Sequence, residues 1–166
     1  MPTWALSLVF WLHLLATVLW IGGLGALSLL VLPAARRNLS LEKQVALLDA
    51  IQRRLDPLAW FSLAVLVMTG LFQMSANPNY QGFLVIRGSW AVAILLKHIF
   101  VGGMVVVGAF QTWGVLPALR RAILLQQAQG RTDDLGALHR RQEVLLQLNL
   151  LLAVIVLALT ALARAS

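Results

Sequence analysis

Cysteine is absent from the 166 residues, which removes disulfides, thiolate metal ligands and thiol catalysis together. Charge is nearly as scarce, at 11% of residues, and only six side chains are acidic. Those six are Glu42, Asp49, Asp56, Asp133, Asp134 and Glu143, and all lie between the long apolar runs rather than inside them. A hard cation that needs several oxygen ligands is therefore disfavoured. So is a relay of protons through carboxylates inside a membrane.

What is plentiful is apolar: 60% of residues are hydrophobic, and the charges that exist are clustered, the composition of a membrane protein. Four runs, Trp4 to Leu32, Leu58 to Met74, Trp90 to Leu116 and Val144 to Leu162, approach or exceed the roughly 20 residues that cross a bilayer. The expected fold is an all-α membrane protein, a four-helix transmembrane bundle in one domain spanning residues 1–166. No Lys or Arg precedes the first run, and it is too long for the core of a signal peptide, so it is expected to remain in the mature protein. The net charge of +7 does not point to nucleic acid, because the basic residues sit beside helix ends and no soluble module presents them. Segment 33–57 carries Arg36, Arg37, Lys43, Arg53 and Arg54, and segment 117–143 carries Arg120, Arg121, Arg131, Arg140 and Arg141, whereas Asn77 to Gly88 holds only Arg87. The positive-inside rule makes the two basic loops cytoplasmic and puts both termini outside.

The chain repeats itself. "VLPAARR" at Val31 returns as "VLPALRR" at Val115, eighty-four positions later. That shift lays Pro33 on Pro117, Arg36 and Arg37 on Arg120 and Arg121, and His13 on Lys97. "MTGL" at Met68 resembles "LTAL" at Leu159. Two tandem two-helix hairpins, about 1–76 and 85–166, would be parallel repeats related by an axis along the membrane normal. The alternative is that any helix ending at a cytoplasmic face attracts Pro and Arg. Between spans, Leu41, Val45, Leu48, Ile51 and Leu55 recur at helical spacing after Ser40, predicting an amphipathic surface helix or an extension of span two bent at Pro57. "LLQQAQGRTDDLG" reads as an exposed turn, with Thr132 or Asp133 starting the last helix, and His139 as a solvated loop residue.

Chemistry belongs where polarity is expensive. Within the spans the ionisable residues are His13, Lys97 and His98, and a charge near the bilayer centre costs on the order of 3 kcal/mol. At about 1.5 Å per residue, His13 and His98 both fall roughly 13 Å below the outer surface, with Met68 and Thr69 near the same layer. Ordinary roles exist for each: a His hydrogen-bonding Thr17 or a backbone carbonyl, Lys97 snorkelling along its stem, Met68 filling a gap. Gly23 and Gly102 either allow close helix contact or clear room for a flat ligand, and Trp20, seven residues after His13, could wall such a pocket. Trp4, Trp11, Trp60, Trp90 and Trp113 read as interface residues. Two ligands suit the layer. Copper(I) accepts imidazole and thioether, from His13, His98 and Met68. Haem b iron accepts an axial His, with His13 and His98 or Lys97 on its two faces.

His13, "WIGG" at Trp20, "VLP" at Val31, "MTG" at Met68 and "LLK" at Leu95 together resemble the copper-resistance protein D (CopD) family of bacterial membrane proteins. The resemblance implies copper uptake or tolerance at the prokaryotic cytoplasmic (inner) membrane, with periplasmic copper proteins or other membrane subunits as partners beside the lipid bilayer. The same His and Lys pattern is similar to HemJ-type protoporphyrinogen oxidases, a related four-helix group associated with haem b, which implies roles for His13 and Lys97. His98 belongs to neither pattern and reads as a second axial ligand. The remaining expectation is a structural subunit whose polar residues join helices.

Overall fold

The computed structural model describes residues 3–76, 89–129 and 135–165. Helix α1 (Thr3–Gly25) passes through a π-helical turn (Ala26–Val31) into α2 (Leu32–Asn38), and α3 is Leu41–Ser75. Helix α4 (Ser89–Ala109) passes through a second π-helical turn (Phe110–Val115) into α5 (Leu116–Gln129), and α6 is Leu135–Ala165. Four rods, Thr3–Asn38, Leu41–Ser75, Trp90–Leu125 and Leu135–Ala163, are long and apolar enough to cross a membrane. The fold is thus the expected all-α bundle, with no strand among the described residues.

The rods are longer than a bilayer requires. Thirty-six residues from Thr3 to Asn38 rise roughly 54 Å at 1.5 Å each, against a hydrocarbon core of about 30 Å. The surplus gathers at one end, where Arg36, Asp49, Arg53, Arg120 and Glu143 form ion pairs; we call it the basic end. Segment 41–55 is therefore no separate surface helix: α3 runs unbroken through Pro57. The Gln-rich stretch is not all turn either, since α5 continues to Gln129; the rest of it, with Thr132 and Asp133, lies outside the described residues, as does Asn77 to Gly88. His139 is buried beside Glu143 rather than solvated, because α6 already begins at Leu135 and turns it inward.

Each π-helical turn ends just before a Leu-Pro pair. Proline lacks an N–H and its ring crowds the carbonyl four residues back, so a helix entering Pro33 or Pro117 gains room by widening one turn. The wide hydrogen bonds are Leu32 N–H to the Leu27 carbonyl and Leu116 N–H to the Gln111 carbonyl.

Helix α1 packs most extensively on α3, and α4 on α6, giving two hairpins that meet along narrower seams. One stripe of each rod faces inward: Ala16, Leu27 and Leu32; Val45, Leu48, Gln52, Ser62 and Thr69; Ala93 and Met104; Leu146, Asn149, Ala153 and Val156. Large apolar side chains such as Leu14, Val18, Phe61, Val106 and Leu151 point outward. Large apolar side chains thus cover the outside as well as much of the inside, while the polar Gln52, Ser62, Thr69 and Asn149 are kept inward, as lipid imposes by offering no partner to a polar group.

Candidate functional site

His13 faces inward and meets Thr69 on α3, with Nδ1 2.7 Å from the hydroxyl oxygen. The Thr69 hydroxyl has a single proton, which it donates to the Val65 carbonyl at 2.6 Å. When that proton goes to the Val65 carbonyl, the oxygen accepts from the ring, and a neutral imidazole then carries its proton on Nδ1 and keeps its lone pair on Nε2. Two more contacts steady the ring's helix and give the ring space. The Thr17 hydroxyl donates to the His13 carbonyl at 2.7 Å, and a Cβ at Gly70 would stand 3.6 Å from the ring carbon Cε1. A hydrogen-bonded Nδ1–H that fixes the tautomer and leaves Nε2 available is how proteins orient a metal-binding histidine.

The other expected members of that layer divide. Lys97 lies on the inward side of α4. His98 is exposed and turns Nδ1 back to the Ile94 carbonyl on its own helix at 2.7 Å. Met68 is 59% exposed. Gly102 is also on the outer face, with nothing within 4 Å of where its Cβ would be. The structure thus brings neither His98 nor Met68 to His13. The reason is helical phase, since each residue advances about 100°, and Met68 and His98 each sit one position off an inward residue, Thr69 and Lys97. A haem held between His13 and His98 does not fit this arrangement. Among the described residues no group of three or more His, Cys, Asp or Glu side chains gathers in one place.

Nearer the basic end, all four spans contribute to a cavity of about 120 Å³, whose walls include Trp20 and Gly23 of α1. A cavity of ~150 Å³ holds benzene, so this space suits a partly hydrated ion or a small molecule and falls well short of a porphyrin. Its polar lining was not foreseen. Gln52, Asp56, Gln111, Thr112 and Asn149 face it, with the Met104 side chain among apolar neighbours. Gln52 is 2% exposed and accepts a hydrogen bond at Oε1 from the fully buried Gln142 amide at 2.5 Å, tying α3 to α6. Thr112 donates to the Asp56 carboxylate. Asn149 is 3% exposed, and its Oδ1 has no hydrogen-bond partner. The second π-helical turn supplies Gln111 and Thr112; the first places Leu27 and Ser28 at the same two steps. Trp60 and Trp113 stack with ring centroids 5.1 Å apart and planes 13° from parallel.

Beyond the cavity the hairpins are clamped by reciprocal ion pairs. Arg36 of the first hairpin grips Glu143 of the second through two hydrogen bonds, one of them 2.7 Å from Nε. Arg120 of the second reaches Asp49 of the first at 2.5 Å, and Arg53 shares that carboxylate at 2.8 Å. His139 Nε2 lies 3.1 Å from Glu143 but out of line for a hydrogen bond.

With these features in place, comparison with known proteins is decisive on one point. Residues 49–163 match the profile of a family described as CopD, copper resistance protein D. The chain belongs to the copper resistance protein D family. As a CopD-family chain with four spanning helices it is a multi-pass membrane protein. The matched stretch runs from α3 into α6 and includes Asp56, Thr69 and Lys97, while His13 lies before it. No curated protein and no solved structure matches the chain.

Proposed function

We propose that this CopD-family protein handles copper in the membrane, with His13 Nε2 as the first protein nitrogen the ion meets in the outer half of the bundle. The observation that carries this reading is the hydrogen-bond chain from Nδ1 through Thr69 to the Val65 carbonyl, which presents one lone pair in a fixed direction. Copper(I) accepts imidazole, and a chain without cysteine that belongs to a copper-resistance family has its softer nitrogen and thioether donors left for the task. A single oriented imidazole suits cargo in transit better than a stored ion, which calls for several ligands.

The lopsided basic charge supports a topology with the basic end in the cytoplasm and both termini outside, which turns the His13 layer towards the periplasm of a prokaryotic inner membrane. Periplasmic copper proteins would then be the donors, and neighbouring membrane subunits the further partners. The two π-helical turns, eighty-four positions apart like the sequence echoes, support reading the hairpins as copies. In that reading His13 and Lys97 occupy equivalent places, and only one copy keeps a metal-binding nitrogen.

X-ray absorption on detergent-purified protein loaded with copper(I) tests the proposal. Nitrogen scattering of the imidazole type is expected in the copper shell of the wild type and should be missing in His13→Ala. An identical copper environment in both proteins would overturn it.

A further inference from the structure

The second π-helical turn opens with Phe110, which is 44% exposed. A side chain in a regular helix leans back over the preceding turn. Phe110 does the opposite: a Cβ at Gly114 would stand 3.4 Å from its ring carbon Cε2, so the ring lies along its own helix towards the basic end, in space the glycine leaves. There it meets α6, where the Arg141 guanidinium carbon lies 4.8 Å from the ring centroid. Arg141 is exposed and takes part in no ion pair among the described residues, and the same holds for Arg121 and Arg140. Arg36 and Arg120, by contrast, are held by Glu143 and Asp49. From Trp90, where the third rod begins, to Phe110 is twenty residues, roughly 30 Å of rise and thus about the thickness of the hydrocarbon core. Trp113, 70% exposed and close to one turn further on, stands at the level where tryptophan settles among headgroups. The Arg141–Phe110 pair is therefore at the depth where lipid phosphates begin.

We infer that Arg141, held flat on Phe110, binds the phosphate of one anionic phospholipid in the leaflet at the basic end. The ring covers one face of the guanidinium and fixes its plane. The N–H edge stays free, and that planar fork matches the oxygens of a phosphate. An anionic lipid supplies the negative charge that no carboxylate of the described residues gives Arg141, whereas a zwitterionic lipid brings its own cation beside the arginine and gains less. The site belongs to the second hairpin. The first π-helical turn opens with Ala26 instead of an aromatic residue, and Arg54 of α3, exposed and likewise in no ion pair, is stacked on no ring among the described residues. Arg54 is thus a charge of the same kind without the device that orients it.

Native mass spectrometry of the full chain in detergent, titrated with phosphatidylglycerol or with phosphatidylcholine of the same acyl chains, tests the site. The wild type should retain one phosphatidylglycerol with an affinity roughly fivefold or more above that for phosphatidylcholine, the factor one basic side chain is worth at an anionic membrane surface. Arg141→Gln should erase that preference, Phe110→Leu should reduce it about two- to fivefold by releasing the guanidinium, and Arg54→Gln, which removes the same charge, should leave it intact. If Arg141→Gln elutes as aggregate, Phe110→Leu against Arg54→Gln carries the comparison, since Phe110 is partly exposed and its replacement stays apolar. A wild type without the preference overturns the site, as does wild-type preference in Arg141→Gln or in Phe110→Leu. Equal losses in Arg54→Gln and Arg141→Gln would mean diffuse attraction to a basic surface and would overturn it too. Displacement of the retained lipid by excess inorganic phosphate would assign the arginine to a soluble anion and overturn the lipid as its occupant.

Discussion

The outer and basic-end layers spend their polar groups in opposite ways. In the outer layer the His13 to Thr69 hydrogen bond joins α1 to α3 inside one hairpin. At the basic end, charged and amide pairs cross between hairpins: Arg36 with Glu143, Arg120 with Asp49, and Gln142 with Gln52. A polar contact that orients one ring within a hairpin contributes little to assembly, whereas contacts that bridge hairpins hold them in register. The difference separates a layer built to present a ligand from a layer built to hold the bundle together, and it predicts which substitutions harm which property.

The largest effect is expected at Glu143. Its side chain is 5% exposed and accepts both hydrogen bonds from Arg36, which is itself 52% exposed. Glu143→Ala should cost roughly 2 to 3 kcal/mol, less than the full penalty for a wholly buried pair because Arg36 can turn to water. Thermal unfolding in detergent would report it, with copper binding to the remaining folded protein unchanged. Thr69→Val should do the reverse. It removes the acceptor that fixes the His13 tautomer, and losing such a supporting partner typically lowers metal affinity by about 10- to 100-fold. Thr69→Ser, which keeps the hydroxyl, should restore affinity. Competition against a copper(I) chelator measures both, and equal affinity in all three proteins would break the contrast between layers.

How much of this was legible in the sequence depends on the dimension asked about. Span number is one-dimensional, and apolar run length supplied it. Rotation needed a second reading of the same letters. Ala93, Lys97, Phe100 and Met104 recur at steps of four, three and four, a stripe that turns Lys97 inward and leaves His98 about 100° away. The same periodicity carries Gln142, Leu146, Asn149 and Ala153 along one face of α6, so the polar lining was also written there. It escaped notice because uncharged amides carry no formal charge to flag them among apolar neighbours. Asp56 reads as a loop residue because it stands just before the apolar run that begins at Leu58, and the unbroken course of α3 through Pro57 brings it to the cavity. The π-helical turns had no sequence signal beyond their prolines.

Asp49 sharpens the comparison at smaller scale. It is 14% exposed and is shared by Arg53 and Arg120, whose side chains are 61% and 37% exposed. Asp49→Ala should therefore cost about 1 kcal/mol, the range of solvent-screened pairs, and raised salt should narrow its gap from wild type more than it narrows that of Glu143→Ala. The smallest effects belong to the outer layer's lipid-facing side. His98→Ala and Met68→Leu remove groups that point away from the bundle, and His98 engages only a carbonyl of its own helix in the contacts described. Neither should change copper affinity, and each should stay within about 0.5 kcal/mol of wild type in stability, as surface substitutions do. A tenfold loss of copper binding in His98→Ala would mean that the ion is reached from the lipid side of α4, and the division into an orienting layer and a clamping layer would have to be redrawn around that helix.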